Sequence, residues 1–492
     1  MSDIKTLVKQ SSHYFVGQIA VLAAGFLSFP ILTRIFSVSD YGLMSLVTTT
    51  LFIAVAIVKF GMPNSIVRFY AEYSAKNKDI SFFVTIFSGI ASFAIISGFV
   101  FLSAISYLDN YFNNKDLVYI LYIVSLLIIT GSLNDTLMSF LRAHQRTKLY
   151  NILAISRRYL ALSLGISLSV YFIIGIKGYF IGQLISGAII LVCLLIIFRK
   201  SLILKGENFD SGILKNSFKF GFPLVWAEFG HLVLNYVDRY LIQFYLGSAA
   251  LGLYTAGYNL ATHITEALIY PINYAITPIY MSIIVKKGEK EAKEFFTKIF
   301  SYFTLVLLPV TCGSLAVGKD LISVLASEKY IESYTVLSYV ILGQAVYACT
   351  IILNNGLFIR NKTHIYNNIM IVTCIINIVL NLFMIPIFGI VGAAQATLFS
   401  YIAFAIIITY YSFKEFSFRI EYRSILIYTL SSLMMVILVK LVSMTNIFIK
   451  VITQIFVGSA VYMTVVILLD TNIRKNLFTT IASISNRHAK HP

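Results

Sequence analysis

The sequence predicts an all-α integral membrane protein of about fourteen transmembrane helices, arranged as two pseudo-symmetric six-helix lobes with two further helices. Three observations support this class. Hydrophobic residues form 58% of the 492-residue chain and charged residues only 12%, against roughly 25% charged residues in a soluble domain. The mean hydropathy of the whole chain is +0.84. The two halves of the chain also resemble each other weakly. A chain with this much apolar surface needs lipid as its main solvent.

The apolar residues fall into segments of the length that crosses a bilayer, which is about 20 residues. The segments lie near 13–35, 41–60, 81–105, 117–141, 149–173, 177–198, 217–245, 250–283, 295–317, 333–358, 364–387, 389–412, 424–445 and 449–469. They group into an N-lobe over residues 1–210, a C-lobe over 211–415, and two additional helices with a polar tail over 416–492.

The excess of basic residues indicates orientation. The chain has 38 Lys and Arg against 21 Asp and Glu, a net charge of +17. In a soluble protein this balance would suggest nucleic acid as a partner. Here most basic residues lie before the first segment, in every second polar gap and in the C-terminal tail, which predicts cytoplasmic termini in a bacterial inner membrane and no nucleic-acid partner. The clusters over 199–219 and 286–298 are predicted headgroup anchors or a docking site for an anionic lipid or partner enzyme.

An internal repeat appears when the chain is shifted by 210 residues. The shift places Tyr41-Gly42-Leu43 on Leu251-Gly252-Leu253 and Tyr70 on Tyr280 without a gap. Because this offset contains six predicted helices, the two lobes have the same orientation and are related by an axis along the membrane normal. Two such lobes predict a central cavity.

Motifs for catalysis are absent from the sequence. There is no HExxH, GxSxG or P-loop, and the polar gaps are too short to form an active-site domain. We therefore expect no enzyme activity, no bound cofactor and no ATP-driven pump. Transport energy would come from an H⁺ or Na⁺ gradient, the membrane potential or the cargo gradient.

Ionisable residues inside the apolar segments are the candidate functional groups, because each costs about 2.5–3.5 kcal/mol to place in hydrocarbon. Four cations are predicted to line a cavity that binds an anionic substrate: Arg34, Arg157, Arg158 and Arg239. Five further residues are predicted to couple ions or to compensate charge: Asp135, Glu228, Asp238, His263 and Glu266.

The arginines have competing interpretations. Arg239 lies deep in the seventh segment, where its planar fork suits a phosphate, or an ion pair with Asp238 or Glu266. Arg157 and Arg158 lie about nine residues into the fifth segment; one is expected to face the cavity and the other to snorkel or to pair with Asp135.

The predictions for residues near the segment ends are less specific. Arg34 is either a headgroup anchor or a cavity cation, and Lys59 is expected to snorkel to the membrane interface. Asp40 is predicted to be a helix N-cap. Prolines Pro30, Pro223 and Pro271 predict either static kinks or hinges for alternating access.

Two stretches carry a resemblance to a known family. Residues 29–42 (FPILTRIFSVSDYG) and 238–254 (DRYLIQFYLGSAALGLY) resemble signatures of the Wzx-like polysaccharide and O-antigen flippases, in the exporter superfamily that includes the multidrug (MATE) transporters. The resemblance extends over the chain in its number of predicted spans. It places Arg34 and Arg239 within the matching motifs.

The resemblance implies a cargo of undecaprenyl-diphosphate carrying an oligosaccharide, moved from the cytoplasmic to the outer leaflet. It also implies membrane lipids, a polysaccharide polymerase and a chain-length regulator as partners. The alternatives are a cation-coupled multidrug exporter of the MATE type and a non-transporting scaffold in a glycan-assembly complex. Several intramembrane arginines count against both, since they disfavour a cationic cargo and a scaffold gains nothing from them.

Overall fold

The computed structural model describes residues 2–108, 115–172, 174–202 and 209–475, with backbone alone at 2–16, 226–227, 231, 270–275 and 277–278. The regular elements in these ranges are helical. They are α1 Ser2–Ile35, α2 Val38–Val58, α3 Met62–Ala75, α4 Asp79–Leu108, α5 Lys115–Ala143, α6 Thr147–Val170, α7 Ile176–Ile197, α8 Ser211–Lys287, α9 Glu289–Leu325, a 3-10 turn Glu328–Tyr330, α10 Ser333–Leu353, α11 Asn355–Ile359, α12 Thr363–Glu415, α13 Tyr422–Lys440 and α14 Ile447–Leu469.

The predicted fold class is confirmed. Among the described residues, 11 helical stretches are long and apolar enough to cross a membrane. One of them, α12, changes direction at Gly389 (φ 61°, ψ −142°), and α8 does so at Gly247 (φ 82°, ψ −179°). Only glycine adopts these conformations readily, so each break divides its helix into two of the predicted segments, and all fourteen segments have a helical counterpart.

The polar gap after the second segment holds a helix that hydropathy did not predict. Phe60 (φ 46°) and Gly61 (φ 68°) take left-handed conformations that end α2, and α3 follows with Pro63 in its first turn. Such a turn satisfies the free backbone groups of the helix end. Although amphipathic, α3 is less apolar than the neighbouring spans, so a search for long apolar runs misses it.

The start of α2 corrects one prediction. Ser37, and not Asp40, is the N-cap: its Oγ accepts from the Asp40 backbone N at 3.0 Å and donates to Asp40 Oδ2 at 2.7 Å. Asp40 is the third helical residue of α2, and both its backbone N and its carboxylate bond to the Ser37 hydroxyl, which stabilises the start of the helix.

Contact clustering divides the chain into two compact units. Unit 1 contains Met1–Thr255 and Met370–Ile390, and unit 2 contains Ala256–Ile369 and Val391–Pro492. The predicted lobe boundaries at residues 210 and 415 stay a prediction.

In unit 1, α6 and α7 approach closely because glycines line their contact. A methyl group at Gly182 would overlap the backbone of Gly165, and one at Gly178 would lie 2.6 Å from the Ser169 N. Small residues at such contacts let helix backbones pack together in lipid. A second cluster, centred on Phe82, Phe83 and Phe140, joins α3, α4 and α5.

In unit 2, an aromatic cluster around Phe296, Phe416 and Phe418 joins α9 to the segment after α12. The Lys362 Nζ pairs with Glu415 Oε1 at 2.7 Å, and Arg360 Nη2 with Glu289 Oε2 at 2.8 Å. These pairs fasten both ends of α12 and the start of α9.

The core clusters follow the internal repeat. Ile66, Ile86 and Ile90 belong to the cluster of unit 1. The residues that follow them by the repeat offset are Ile276, Phe296 and Phe300, which all belong to the cluster of unit 2. Positions that are equivalent by the repeat therefore belong to a hydrophobic core in both halves of the chain.

Candidate functional site

A cavity of about 630 Å³ lies within unit 1, in the size range of small-molecule sites. Six helices line it: α1, α2, α5, α6, α7 and the first part of α8. Five of its lining residues are charged, namely Lys59, Asp135, Arg157, Arg158 and Glu228. We call it the charged cavity.

Three of these groups form a connected set around one carboxylate. The Lys59 Nζ lies 3.1 Å from Asp135 Oδ2, and the Arg157 Nη1 lies 3.3 Å from Asp135 Oδ1. The same Lys59 Nζ lies 4.0 Å from Glu228 Oε1. Asp135 therefore holds one cation on each oxygen, and the expected pairing of an arginine of α6 with Asp135 is observed.

Arg158 differs from its neighbour. Its side chain is exposed in the cavity lining, and in the described part of the chain it makes no hydrogen bond or ion pair. Lys59, Arg157 and Arg158 face only two acids, so the described charged lining carries one net positive charge. An anion that enters the cavity finds Arg158 available.

The lining residues occur at helical spacing. On α8 they are Glu228, Leu232 and Tyr236, which are four residues apart, and on α2 they extend from Thr48 to Lys59. Positions spaced in this way share one face of a helix. That extent of α2 corresponds to about 16 Å of helix rise.

A second polar region lies where residues 38–49 of α2 meet residues 239–255 of α8, also within unit 1. We call it the α2–α8 crossing. A methyl group at Gly42 would overlap the Ser248 carbonyl oxygen, and one at Gly252 would overlap the Val38 carbonyl oxygen. The contact is reciprocal, since Val38 and Gly42 precede Ser248 and Gly252 by the repeat offset.

The centre of the crossing is a hydrogen bond between repeat equivalents. Thr255 Oγ1 donates to Ser45 Oγ at 3.0 Å, and these two residues are 210 positions apart. The α2–α8 crossing therefore brings residues that are equivalent by the repeat offset into direct contact.

Arg239 is buried at this crossing. Its Nη1 donates to Ser45 Oγ at 2.8 Å and to Thr49 Oγ1 at 3.3 Å, and its guanidinium carbon lies 4.8 Å from the centre of the Tyr236 ring. The neighbouring Asp238 accepts a hydrogen bond from the Tyr254 hydroxyl. Arg239 does not belong to the described lining of the charged cavity, although Tyr236 contacts both regions.

The remaining predicted residues lie elsewhere. Arg34 is exposed at the end of α1 and donates from Nη1 to the Pro30 carbonyl at 2.9 Å. His263 and Glu266 lie on α8 in unit 2. The helical backbone continues through Pro30, Pro223 and Pro271, and the role of these prolines as hinges stays a prediction.

Lys59 is the functional candidate that the sequence misplaced. It was expected to reach the membrane interface, but its side chain is only 15% exposed and points into the charged cavity. In the sequence, a cation at a helix end looks the same whether it reaches the membrane interface or faces a cavity. Only the acid on α5 distinguishes these two positions. Within the described ranges, no group of three or more His, Cys, Asp or Glu side chains is placed to hold a metal ion.

Comparison with known protein families decides the family. Residues 31–335 match the family described as polysaccharide biosynthesis protein. This chain belongs to that family. The resemblance that the two sequence motifs indicated is thereby confirmed, and both motifs contribute to the α2–α8 crossing.

Relatives in other organisms match this chain at low identity. An uncharacterised membrane protein of Methanocaldococcus jannaschii is 23% identical over 74% of this chain and 75% of its own length. A probable low-salt glycan biosynthesis flippase of Haloferax volcanii is 23% identical over 56% of this chain and 59% of its own length.

The fold is shared with two groups of solved structures. The lipid II flippase MurJ in an inward closed conformation has a TM-score of 0.71 at 17% identity, covering 96% of this chain and 100% of its own. A variant of the Vibrio cholerae MATE transporter VcmN has a TM-score of 0.60 at 12% identity, covering 83% of this chain and 97% of its own. At these identities the likeness shows the fold.

Proposed function

We propose that this protein is a flippase that moves an undecaprenyl-diphosphate-linked oligosaccharide from the cytoplasmic to the outer leaflet of a bacterial inner membrane. The observation that supports it most is a cavity lined by an exposed arginine, Arg158, which makes no ion pair among the described residues, in a membrane-spanning member of a polysaccharide biosynthesis family. The relatives and structural neighbours include a probable glycan biosynthesis flippase and a lipid II flippase, which favours the same cargo class.

The charge of the cavity fits a diphosphate better than a neutral or cationic cargo. A diphosphate diester carries two negative charges near neutral pH, and moving it away from water is costly unless cations meet it. Arg157 and Arg158 offer guanidinium groups, whose planar geometry suits phosphate oxygens. Arg34 and Arg239 remain sequence-based candidates for the same role, outside the cavity lining.

The proposed transport cycle is alternating access. The headgroup enters the cavity while the lipid tail stays in the bilayer, and rocking of two pseudo-symmetric lobes exposes the site to the other side. With cytoplasmic termini, Lys59 lies at the cytoplasmic end of α2, so the cavity begins on the side where the cargo is made. An H⁺ or Na⁺ gradient acting on Glu228 or Glu266, or the membrane potential, would bias the return of the empty carrier. A polysaccharide polymerase and a chain-length regulator are the proposed partners.

The test is leaflet transfer of a fluorescent undecaprenyl-diphosphate oligosaccharide in proteoliposomes. Wild-type protein should transfer the lipid, and Arg158→Ala should slow transfer about ten-fold or more, which corresponds to about 1.4 kcal/mol. Arg199→Ala is the matched control, because Arg199 is an exposed arginine outside the cavity lining.

Each other outcome has a meaning. Equal transfer by wild type and Arg158→Ala would remove Arg158 from the site, and loss in Arg239→Ala with intact stability would place the anion at the crossing. If the wild type exported a cationic dye and not the lipid, the multidrug function would replace this one. If it moved neither, a scaffold role would follow.

A further inference from the structure

The charged cavity contains two acids that oppose the cargo proposed for it. Asp135 and Glu228 line the same space as the three cations, and a carboxylate repels a diphosphate. Among the described cations of the cavity, the two acids contact Lys59 and Arg157 only. Arg158 has no acid partner among the described residues, so the acids are matched to particular cations.

Asp135 is placed where a phosphate group would be. Its two oxygens lie 3.1 Å from Lys59 Nζ and 3.3 Å from Arg157 Nη1, so a cation stands at each side of one anionic group. A phosphate presents oxygens in the same way to two cations. The carboxylate therefore occupies the cations that a diphosphate would need.

These ion pairs are open to exchange. The side chains of Asp135 and Arg157 are each 37% exposed, and that of Glu228 is 42% exposed. Water competes for both partners of the Asp135–Arg157 pair, so that pair contributes little stability. The Lys59 side chain is 15% exposed, so water reaches the Lys59–Asp135 pair mainly at the carboxylate. An entering group with two charges can displace a carboxylate with one.

The empty cavity also gains from these acids. With Asp135 and Glu228 in place, the described charged lining has one net positive charge, whereas the cations alone would bring three. A carrier that closes around an empty cavity removes these charges from water. Uncompensated charge inside a membrane is costly in free energy. The acids reduce that cost when no cargo is present.

We propose that Asp135, assisted by Glu228, is an internal competitor for the cations of the charged cavity. It holds Lys59 and Arg157 in the empty carrier, yields them to the cargo's diphosphate after first contact with Arg158, and reclaims them to expel the cargo. This inference rests on the proposed function. It adds that Asp135 limits the affinity of the cavity for the cargo, so that the cargo is released quickly.

The experiment separates binding from turnover in the full-length protein. Undecaprenyl diphosphate is titrated against the protein in lipid nanodiscs, and transfer is measured in proteoliposomes at saturating lipid. Asp135→Asn should lower the Kd about three- to ten-fold, since the pairs it removes are partly exposed, and should slow saturated transfer by at least three-fold. Glu228→Gln, which loses one 4.0 Å contact, should change both quantities in the same direction by less.

The controls define what would overturn the inference. Glu291→Gln removes an equal charge from an exposed residue of α9 outside the cavity lining and should change neither quantity. A weaker or unchanged Kd in stably folded Asp135→Asn would show that Asp135 only positions the cations. If Asp135→Asn does not fold, the direction of the Glu228→Gln change decides. If the wild type does not bind the diphosphate, the proposed function itself fails; equal binding after Arg158→Ala would remove Arg158 from the site and overturn its part in this inference.

Discussion

The charged cavity and the α2–α8 crossing both use arginines within unit 1, but in opposite surroundings. Arg239 at the crossing is 6% exposed, and the oxygens of Ser45 and Thr49 accept hydrogen bonds from it. Arg158 is exposed in the cavity and, among the described residues, makes no ion pair. The first arrangement fixes two helices to each other, whereas the second leaves a charge available to a ligand.

The family signature follows the first region. Residues 29–42 include the N-cap Ser37 and end in Gly42, and residues 238–254 contain Asp238, Arg239 and Gly252. Close backbone approach admits only glycine at the positions of Gly42 and Gly252, and this makes the motif recognisable in the sequence. The cavity positions are spread singly over six helices and form no motif. A recognisable sequence therefore marks the part that is hardest to vary, and this need not be the part that binds the cargo.

The largest expected difference between the regions is in stability. Arg239→Met should destabilise the protein by about 3 kcal/mol, because it removes the cation beside the buried Asp238 and the donor to two buried hydroxyls. Arg158→Met should change stability by less than about 0.5 kcal/mol, as is usual for an exposed side chain. The measurement is denaturant unfolding in mixed micelles. Wild-type stability with lost transport in Arg239→Met would instead assign Arg239 to the cargo.

The glycines of the crossing should give a smaller loss. Gly42→Ala places a methyl group against the Ser248 backbone, and overpacking of this kind costs about 1–3 kcal/mol. Gly313→Ala is the control, because its methyl group would meet only Met435 Cε at 3.5 Å. Since Gly42 and Gly252 pack at one crossing, the double alanine variant should lose less than the sum of the single losses. Full additivity in the same unfolding assay would mean that the two contacts are independent.

The smallest expected effect comes from a single hydroxyl. Thr49→Val removes an acceptor at 3.3 Å from Arg239 Nη1 and should cost about 0.5–1 kcal/mol. Thr48→Val, one residue earlier and in the cavity lining, should leave stability unchanged. If the two variants lost equal stability, the cost would come from replacing a hydroxyl by a methyl group anywhere on this part of α2 and not from the hydrogen bond to Arg239.

Much of the fold follows from local sequence. Long apolar runs predict the spans because lipid offers backbone groups no hydrogen-bond partners. The break at Gly247 falls in a predicted gap, and the break at Gly389 falls at the start of a predicted segment. The helix α3 was missed because it is amphipathic, and the N-cap at Ser37 was placed at Asp40 because both residues suit a helix start. The candidate site was predicted less completely. Arg157, Arg158, Asp135 and Glu228 were identified by their cost in hydrocarbon, but Lys59 was assigned to the interface.

By itself, the sequence determined the membrane class, the helical segments, the internal repeat and the family. Hydropathy, helix length and the glycines of close contacts can be recognised in short stretches of neighbouring residues. Only the tertiary structure decided which charges meet. Lys59, Asp135 and Arg157 lie on three different helices, while Arg239 turns to hydroxyls on α2. Charge pairing acts over a few ångströms in space, and spacing along the chain does not encode that distance.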